Sequence, residues 1–277
     1  MGSKPVALQA AVLGHPISHS LSPVLHSAAI AALGINCEYS AIDVTESTLG
    51  AFLEQLDNNW VGLSLTMPLK NKVLEFIGPR DHLVESTQVA NTVYRNLDGE
   101  WALANTDVFG LVTAVQQAGV EAPRHVVILG SGSTARSAVQ AAAELGAVYV
   151  DIRARNQRDR EALVVQSESV GMHAHQSDLS LTRLTDVDLV ISTLPNGVDI
   201  GTISAKIPAT GAALLDVAYS PWPSSLARQW PHDRVISGLD MLLWQATRQS
   251  VLFYGGEAPV DQMRRALFME ERDIHSS

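Results

Sequence analysis

Apolar positions along this chain switch between two spacings. Short apolar or alternating runs at Val6–Leu13, Cys37–Val44 and Trp60–Leu65 predict strands. Helical spacing fills the gaps. Ser22-Pro23 has the form of a helix start, Gly34 marks that helix's end, and an amphipathic stretch between 44 and 60 predicts a second helix. Asn96-Leu97-Asp98-Gly99 divides two further short strands as a hairpin turn.

A second series begins near Thr106. Asp107–Ala118 reads as a helix ended by Gly119, His125–Leu129 as a strand, and Thr134–Leu145 as a long alanine-rich helix. Further strands are expected at Val148–Ile152, Leu189–Thr193 and Ala213–Val217. Strands that alternate with helices predict a parallel sheet covered on both faces. Met241–Phe253 is again helical and is expected to pack back on the first series; the polar tail from Glu270 is expected to fray. The fold class is therefore α/β with two domains: residues 1–106 plus 238–277, and residues 107–237.

At 277 residues, 46% hydrophobic and 17% charged, the chain can bury two modest cores. A net charge of −10 argues against nucleic acid or an anionic membrane surface as partner. No apolar run approaches a membrane span, and no signal peptide precedes the first strand, which points to the cytoplasm. Met1-Gly2-Ser3 reads as a short unstructured start or a cloning remnant. Cys37 is the only cysteine, so disulfides and cysteine-based zinc sites are excluded, and its setting suggests a buried thiol. Lysines number four: Lys4, Lys70, Lys72 and Lys206.

Three segments carry candidate chemistry. Val126–Leu129 leads into Gly130-Ser131-Gly132-Ser133-Thr134-Ala135, a G-x-G-x-x-A turn that opens a helix. Such a turn lets backbone approach a pyrophosphate, and the helix N-terminus adds N–H groups and a positive dipole end. The next strand edge reads Asp151-Ile152-Arg153-Ala154-Arg155-Asn156, followed by Arg158 and Arg160. Arginines there suit the 2′-phosphate of NADP, whereas a solvated helix start, or Asp151 facing the ribose of NAD, are the competing readings.

The second segment is Ser64-Leu65-Thr66-Met67-Pro68-Leu69-Lys70, which places a lysine just beyond a strand. Reduction of a carbonyl needs a proton donor, and oxidation of the alcohol needs the same group as base. Asp107, at the junction of the two series, is the expected partner; taken alone, Lys70 would be a surface lysine. The third is His15-Pro16-Ile17-Ser18-His19-Ser20-Leu21-Ser22-Pro23. Ser20 and Ser22 can offer hydroxyls and helix-start N–H groups to a carboxylate, or Ser22 can act as a plain N-cap. His15, His19 and His26 lack an acidic partner at ligand spacing, so no metal is expected.

Together the segments PISHSLSP (Pro16–Pro23), SLTMPLK (Ser64–Lys70), VANT (Val89–Thr92), NTDVFG (Asn105–Gly110), GSGSTARSA (Gly130–Ala138), LLDVAYSPWP (Leu214–Pro223) and GLDMLLWQA (Gly238–Ala246) resemble the shikimate dehydrogenase family. The resemblance spans nearly the whole chain. It implies NADPH-dependent reduction of 3-dehydroshikimate to shikimate, on the route to aromatic amino acids. It implies that Lys70 and Asp107 form the catalytic pair and that Ser20 and Ser22 bind the substrate carboxylate. Thr66, Asn91 and Gln245 would meet the ring hydroxyls, with Tyr219 beside the substrate. Residues 130–135 and Gly238 would hold the cofactor, with Arg155 and Asn156 near its 2′-phosphate. The implied fold pairs a substrate domain with a Rossmann-type NADP domain, in a monomer or homodimer. Two departures stand out: GSGSTA replaces the family's usual GAGGAA, and Ala154-Arg155-Asn156 replaces asparagine-arginine-threonine, keeping the arginine. An NAD-preferring quinate/shikimate enzyme, a silent shikimate sensor and another Rossmann enzyme are the alternatives.

Overall fold

A computed structural model describes residues 7–181, 184, 186–195, 197–198 and 211–276, with side chains up to residue 270. Met1–Ser3, Lys4, Val6 and Lys206, singled out above, lie outside the described residues. The chain forms two compact units: one runs to Thr106 and resumes at Gln245, and the other spans Asp107–Trp244.

The first unit contains β1 (Leu8–Gly14), α1 (Ser22–Leu33), β2 (Cys37–Asp43), α2 (Leu49–Leu53), β3 (Trp60–Leu65), α3 (Leu69–Lys72), α4 (His82–Thr87), β4 (Thr92–Arg95) and β5 (Trp101–Ala104). Its sheet runs β2-β1-β3-β4-β5. β1 lies parallel to β2 and β3, and the hairpin β4–β5 adds antiparallel strands. Side chains of β1 alternate between two cores. Ala11 and Leu13 join Leu63, Leu65, Leu69 and Val93 on one face, while Ala10 and Val12 meet Ile17, Tyr39 and Phe253 on the other. A strand buried on both faces has no polar side, which is why this stretch reads as an unbroken apolar run.

The second unit contains α5 (Thr106–Gln117, entering from the first unit), β6 (His125–Leu129), α6 (Ser133–Glu144), β7 (Tyr149–Arg153), α7 (Gln157–Ser169), β8 (His173–Ser177), β9 (Leu189–Ser192), β10 (Ala213–Asp216) and β11 (Val235–Ser237). Its strands are all parallel, in the order β8-β7-β6-β9-β10-β11. Numbered from β6, that is 3-2-1-4-5-6, the order of a Rossmann-type doubly wound sheet, whose ligands bind at the carboxyl ends of the strands.

The chain returns through α8 (Gly238–Tyr254) and α9 (Val260–Ser276). The division falls inside α8, between Trp244 and Gln245, rather than at its first residue as expected, because one continuous helix serves both units. The tail from Glu270 does not fray: α9 continues to Ser276. Glu270, Glu271 and Arg272 are good helix formers, and Met263 and Leu267, one turn apart, are buried in a helix that packs on α1.

Candidate functional site

Two of the motif segments leave the first sheet side by side. β1 and β3 are parallel neighbours, so Gly14 and Leu65 end at the same edge. The His15 N–H donates to the Met67 carbonyl at 3.0 Å, and the Thr66 N–H donates to the Leu13 carbonyl at 2.9 Å. Because β4 runs antiparallel to β3, its start lies at that edge too, where the Leu65 N–H donates to the Asn91 carbonyl at 2.7 Å. β5 ends there for the same reason, and the Asn91 N–H donates to the Ala104 carbonyl at 3.2 Å. The topology thus gathers Ser20, Ser22, Thr66, Lys70, Asn91 and Thr106 at the carboxyl end of β1 and β3.

Ser22 is buried and is the first residue of α1 rather than its N-cap. Leu21 occupies the cap position without a side-chain bond, and the Ser20 hydroxyl accepts from the Ser22 N–H at 3.3 Å. The N-cap reading of Ser22 is therefore corrected: Pro23 at the second helical position starts the helix one residue earlier than expected. Thr66 and Lys70 are half-buried, and the Lys70 carbonyl accepts from the Ala90 N–H at 2.9 Å. Asp107 follows Thr106 in the first turn of α5, only 3% exposed, where a helix N-terminus favours a carboxylate.

Asn91 is 2% exposed and its side chain is held from several sides. Its Oδ1 accepts from the Thr92 hydroxyl at 2.8 Å and the Thr106 N–H at 2.8 Å, so Nδ2 faces the Thr106 hydroxyl at 2.9 Å and Gln245 Oε1 at 3.4 Å. Behind it lies a polar cluster that the sequence reading missed. Ser64 and His26 meet the amide of Gln249, one turn beyond Gln245 on α8, and the Tyr39 phenol donates to the Ser64 hydroxyl. The signal available was that four-residue spacing, which puts both glutamines on one helix face. Burial pushes the His26 pKa down to about 4, despite the opposing hydrogen bond to the Gln249 amide oxygen, and pushes the Tyr39 phenol up. His26 is therefore a buried neutral imidazole, while His15 pairs with Asp43 at 2.8 Å. Among the described residues no His, Cys, Asp or Glu group is placed to hold a metal. Cys37 is only partly buried, contrary to expectation; burial and then the charge of Glu38 raise its pKa to about 11, which keeps it a thiol.

In the second unit the turn between β6 and α6 is built from backbone. Gly130 has φ +105°, and a Cβ there would sit 2.5 Å from the Thr193 hydroxyl oxygen. Gly132 caps α6 in extended conformation with no side-chain bond, and a Cβ on it would meet nothing within 4 Å. Ser131, Ser133 and Thr134 are half-buried along the turn, and Ala135 is fully buried beneath it. At the end of β7 the arginines divide. Arg153 turns inward to Asp151 (Nε–Oδ2 2.7 Å) and the Ser180 carbonyl, and Arg160 pairs with Asp178. With Asp151 held by Arg153 and, at 3.2 Å, by His175, the ribose-facing reading of Asp151 has no support. Arg155 and Arg158 are exposed and have no polar partner among the described residues. Asn156 caps α7, accepting from the Asp159 N–H at 3.3 Å.

Farther along, Asp216 ends β10 and accepts from the Ser224 hydroxyl at 2.5 Å and the Ala218 N–H at 3.3 Å. Burial raises its pKa, opposed chiefly by the Ser224 bond. It pins the loop that carries Tyr219, whose phenol burial also pushes up. Gly238 starts α8 where a Cβ would lie 2.3 Å from the Val217 carbonyl oxygen, so only glycine allows this approach.

A curated shikimate dehydrogenase (NADP(+)) from Thermosynechococcus vestitus is 32% identical to this chain, covering 92% of it and 93% of the relative. The chain belongs to the shikimate dehydrogenase family. Its residues 12–93 match the shikimate dehydrogenase substrate binding domain, and 238–268 the shikimate 5′-dehydrogenase C-terminal domain. Residues 101–198 match the C-terminal domain of alanine dehydrogenase/PNT. The crystal structure of a shikimate 5-dehydrogenase from Mycobacterium fortuitum has a TM-score of 0.85 and 38% identity, covering 96% of this chain and 99% of that one. A shikimate 5-dehydrogenase from Thermus thermophilus, solved in complex with NADP(H) and shikimate, has a TM-score of 0.81 and 27% identity, covering 95% and 99%. As in the shikimate dehydrogenase family generally, an N-terminal substrate-binding domain is joined to a Rossmann-type dinucleotide-binding domain.

Proposed function

We propose that this chain catalyses the reversible, NADPH-dependent reduction of 3-dehydroshikimate to shikimate. The observation that carries the reading is the gathering of two serines, a threonine, a lysine and an asparagine at one sheet edge in a member of this family. Ser20 and Ser22 supply hydroxyls to the substrate carboxylate. Thr66, Asn91 and Gln245 meet the ring hydroxyls, and Tyr219 flanks the ring. The domain roles follow: residues 1–106 with the returning helices hold the substrate, and the segment from Asp107 to the start of α8 holds the cofactor.

The residues present fit NADP. A helix N-terminus without a side-chain cap, the open space over Gly132 and the exposed Arg155, without a polar partner among the described residues, suit a pyrophosphate and a 2′-phosphate. Ser131, Ser133, Thr134 and Ala135 shape that turn, Gly130 bends it, Asn156 borders the phosphate edge, and Gly238 brings backbone close. The bound cofactor supplies or accepts the hydride. Lys70 gives its proton to the carbonyl oxygen as the alcohol forms and takes it back in the reverse direction. Asp107 is assigned as the second member of the catalytic pair with Lys70. No described helix is long and apolar enough to cross a membrane; the reading places the reaction in the cytoplasm, by a monomer or homodimer.

Hydride transfer is tested directly with NADPH carrying deuterium at both nicotinamide C4 positions and 3-dehydroshikimate. Shikimate carrying one deuterium by mass spectrometry is the expected product. Unreacted 3-dehydroshikimate would refute the reading.

A further inference from the structure

Gln249 lies one turn beyond Gln245 on α8, is 1% exposed, and fills all four of its hydrogen-bonding positions. Nε2 donates to the Asn91 carbonyl at 3.1 Å and to the Thr92 hydroxyl oxygen at 3.0 Å. Oε1 accepts from the Ser64 hydroxyl at 2.8 Å and from His26 Nε2 at 3.3 Å. The orientation of the amide is not ambiguous. A backbone carbonyl only accepts, so the NH2 group must face Asn91, and the oxygen must face Ser64 and His26.

That orientation propagates. With Gln249 accepting, the Ser64 hydroxyl donates to it, and Ser64 in turn accepts from the Tyr39 phenol at 2.7 Å. His26 must carry its proton on Nε2, which leaves Nδ1 to accept from the Tyr254 hydroxyl at 3.3 Å. Its ring stacks on Tyr39 with centroids 4.2 Å apart and planes within 1°. On the other side, Thr92 receives the Gln249 N–H and therefore spends its own hydrogen on Asn91 Oδ1 at 2.8 Å. Gln249 thus grips Asn91 twice: directly at the main-chain carbonyl, and through Thr92 at the side-chain oxygen. The second grip helps keep Oδ1 turned inward and Nδ2 turned toward Gln245.

We propose that Gln249 is a positioning residue for recognition of the substrate ring, holding the amide of Asn91 and the register of Gln245 for the hydroxyls they meet. This rests on the reading that Asn91 and Gln245 contact ring hydroxyls. Gln249 itself touches no substrate; it acts through Asn91, through Thr92 and through the helix turn it shares with Gln245. A buried amide with every position filled is costly to misplace, so it fixes one arrangement of the edge rather than several.

The test is Gln249→Met, which keeps length and flexibility and removes all four bonds, with Thr92→Val as a milder variant that cuts only the relay to Asn91 Oδ1. For Gln249→Met, KM for shikimate is expected to rise roughly tenfold to a hundredfold. kcat should stay within about threefold and KM for NADP should be unchanged, since neither the proton donor nor the cofactor turn is altered. Thr92→Val should move in the same direction by a smaller factor, and it carries the test if Gln249→Met does not fold. The decisive readout is substrate dissection with 4-deoxyshikimate and 5-deoxyshikimate. The penalty should be smaller for an analogue lacking a hydroxyl that Asn91 or Gln245 meets than for shikimate itself. An equal penalty on all three substrates, or parallel losses in kcat and KM for NADP, would overturn the positioning role. Wild-type enzyme run alongside separates the two claims. If wild type does not oxidise shikimate, the functional reading fails and this proposal falls with it. If wild type turns over normally and the penalty is unselective, only the positioning role fails.

Discussion

The two units present their functional groups in opposite ways. At the edge of the first sheet the side chains are buried and tied to one another: Asn91 is held by Thr92, Thr106 and Gln245, and Ser22 sits inside the first turn of α1. At the edge of the second the phosphate turn is bare backbone, and Arg155 and Arg158 project into solvent. A small polyol acid is told from its analogues by placed hydroxyls and amides, so its side must be preorganised before binding. A pyrophosphate asks only for N–H groups and positive charge, which a glycine turn, a helix end and two flexible arginines supply.

The largest effect that sharpens this contrast is expected at Lys70. Lys70→Ala should lower kcat by roughly 10² to 10⁴ while shikimate affinity, measured by calorimetry, stays within a few-fold. Turnover near that of wild type would remove Lys70 from the chemistry.

Next comes the buried side of the first unit. His26 has a pKa of about 4 in the fold against 6.5 when unfolded. The unfolded chain therefore takes up a proton that the folded chain refuses, and stability falls as pH drops from 6.5 toward 4. Integrated over that window, His26 contributes a loss of about 3 kcal/mol. Urea unfolding at several pH values should show a shallower slope in His26→Phe than in wild type; identical slopes would mean that His26 is not the group responsible.

The arginines give a smaller effect. Arg155→Gln should raise KM for NADP roughly tenfold to a hundredfold and leave KM for NAD nearly unchanged, because a charge-assisted bond to phosphate is worth about 1.5–3 kcal/mol. Equal losses with both cofactors would place Arg155 away from the 2′-phosphate.

Smallest is a pair of glycine substitutions. Gly130→Ala combines positive φ with a clash against Thr193 and should cost about 1–3 kcal/mol of stability in thermal unfolding. Gly132→Ala has neither problem and should leave stability within about 0.5 kcal/mol, while weakening NADP binding because its methyl fills the space over the turn. If Gly132→Ala binds NADP as wild type does, the phosphate does not sit there.

What could be read from sequence follows the same division. Unbroken apolar strands such as His125–Leu129 were legible because a strand buried on both faces has no polar side. β8, reading His-Ala-His-Gln-Ser, was not, because an edge strand half open to solvent carries no apolar pattern. α9 was not legible at all: no helix was expected beyond Phe253, and its last turns are charged rather than apolar. In the site, motif residues such as Ser20, Lys70 and Gly130 stood out by type and spacing. Gln249 did not, since a glutamine on a helix does not reveal which carbonyl it will meet. Nor could spacing alone sort the arginines: Arg153 and Arg160 turn inward, and only Arg155 and Arg158 remain for a ligand.

The most direct test of the whole account is the appearance of reduced nicotinamide absorbance when purified protein meets shikimate or quinate with NADP or NAD. Rapid reduction of NADP with shikimate is expected, with little in the other three combinations. Preferred turnover with NAD or with quinate, or no turnover in any combination, would contradict it.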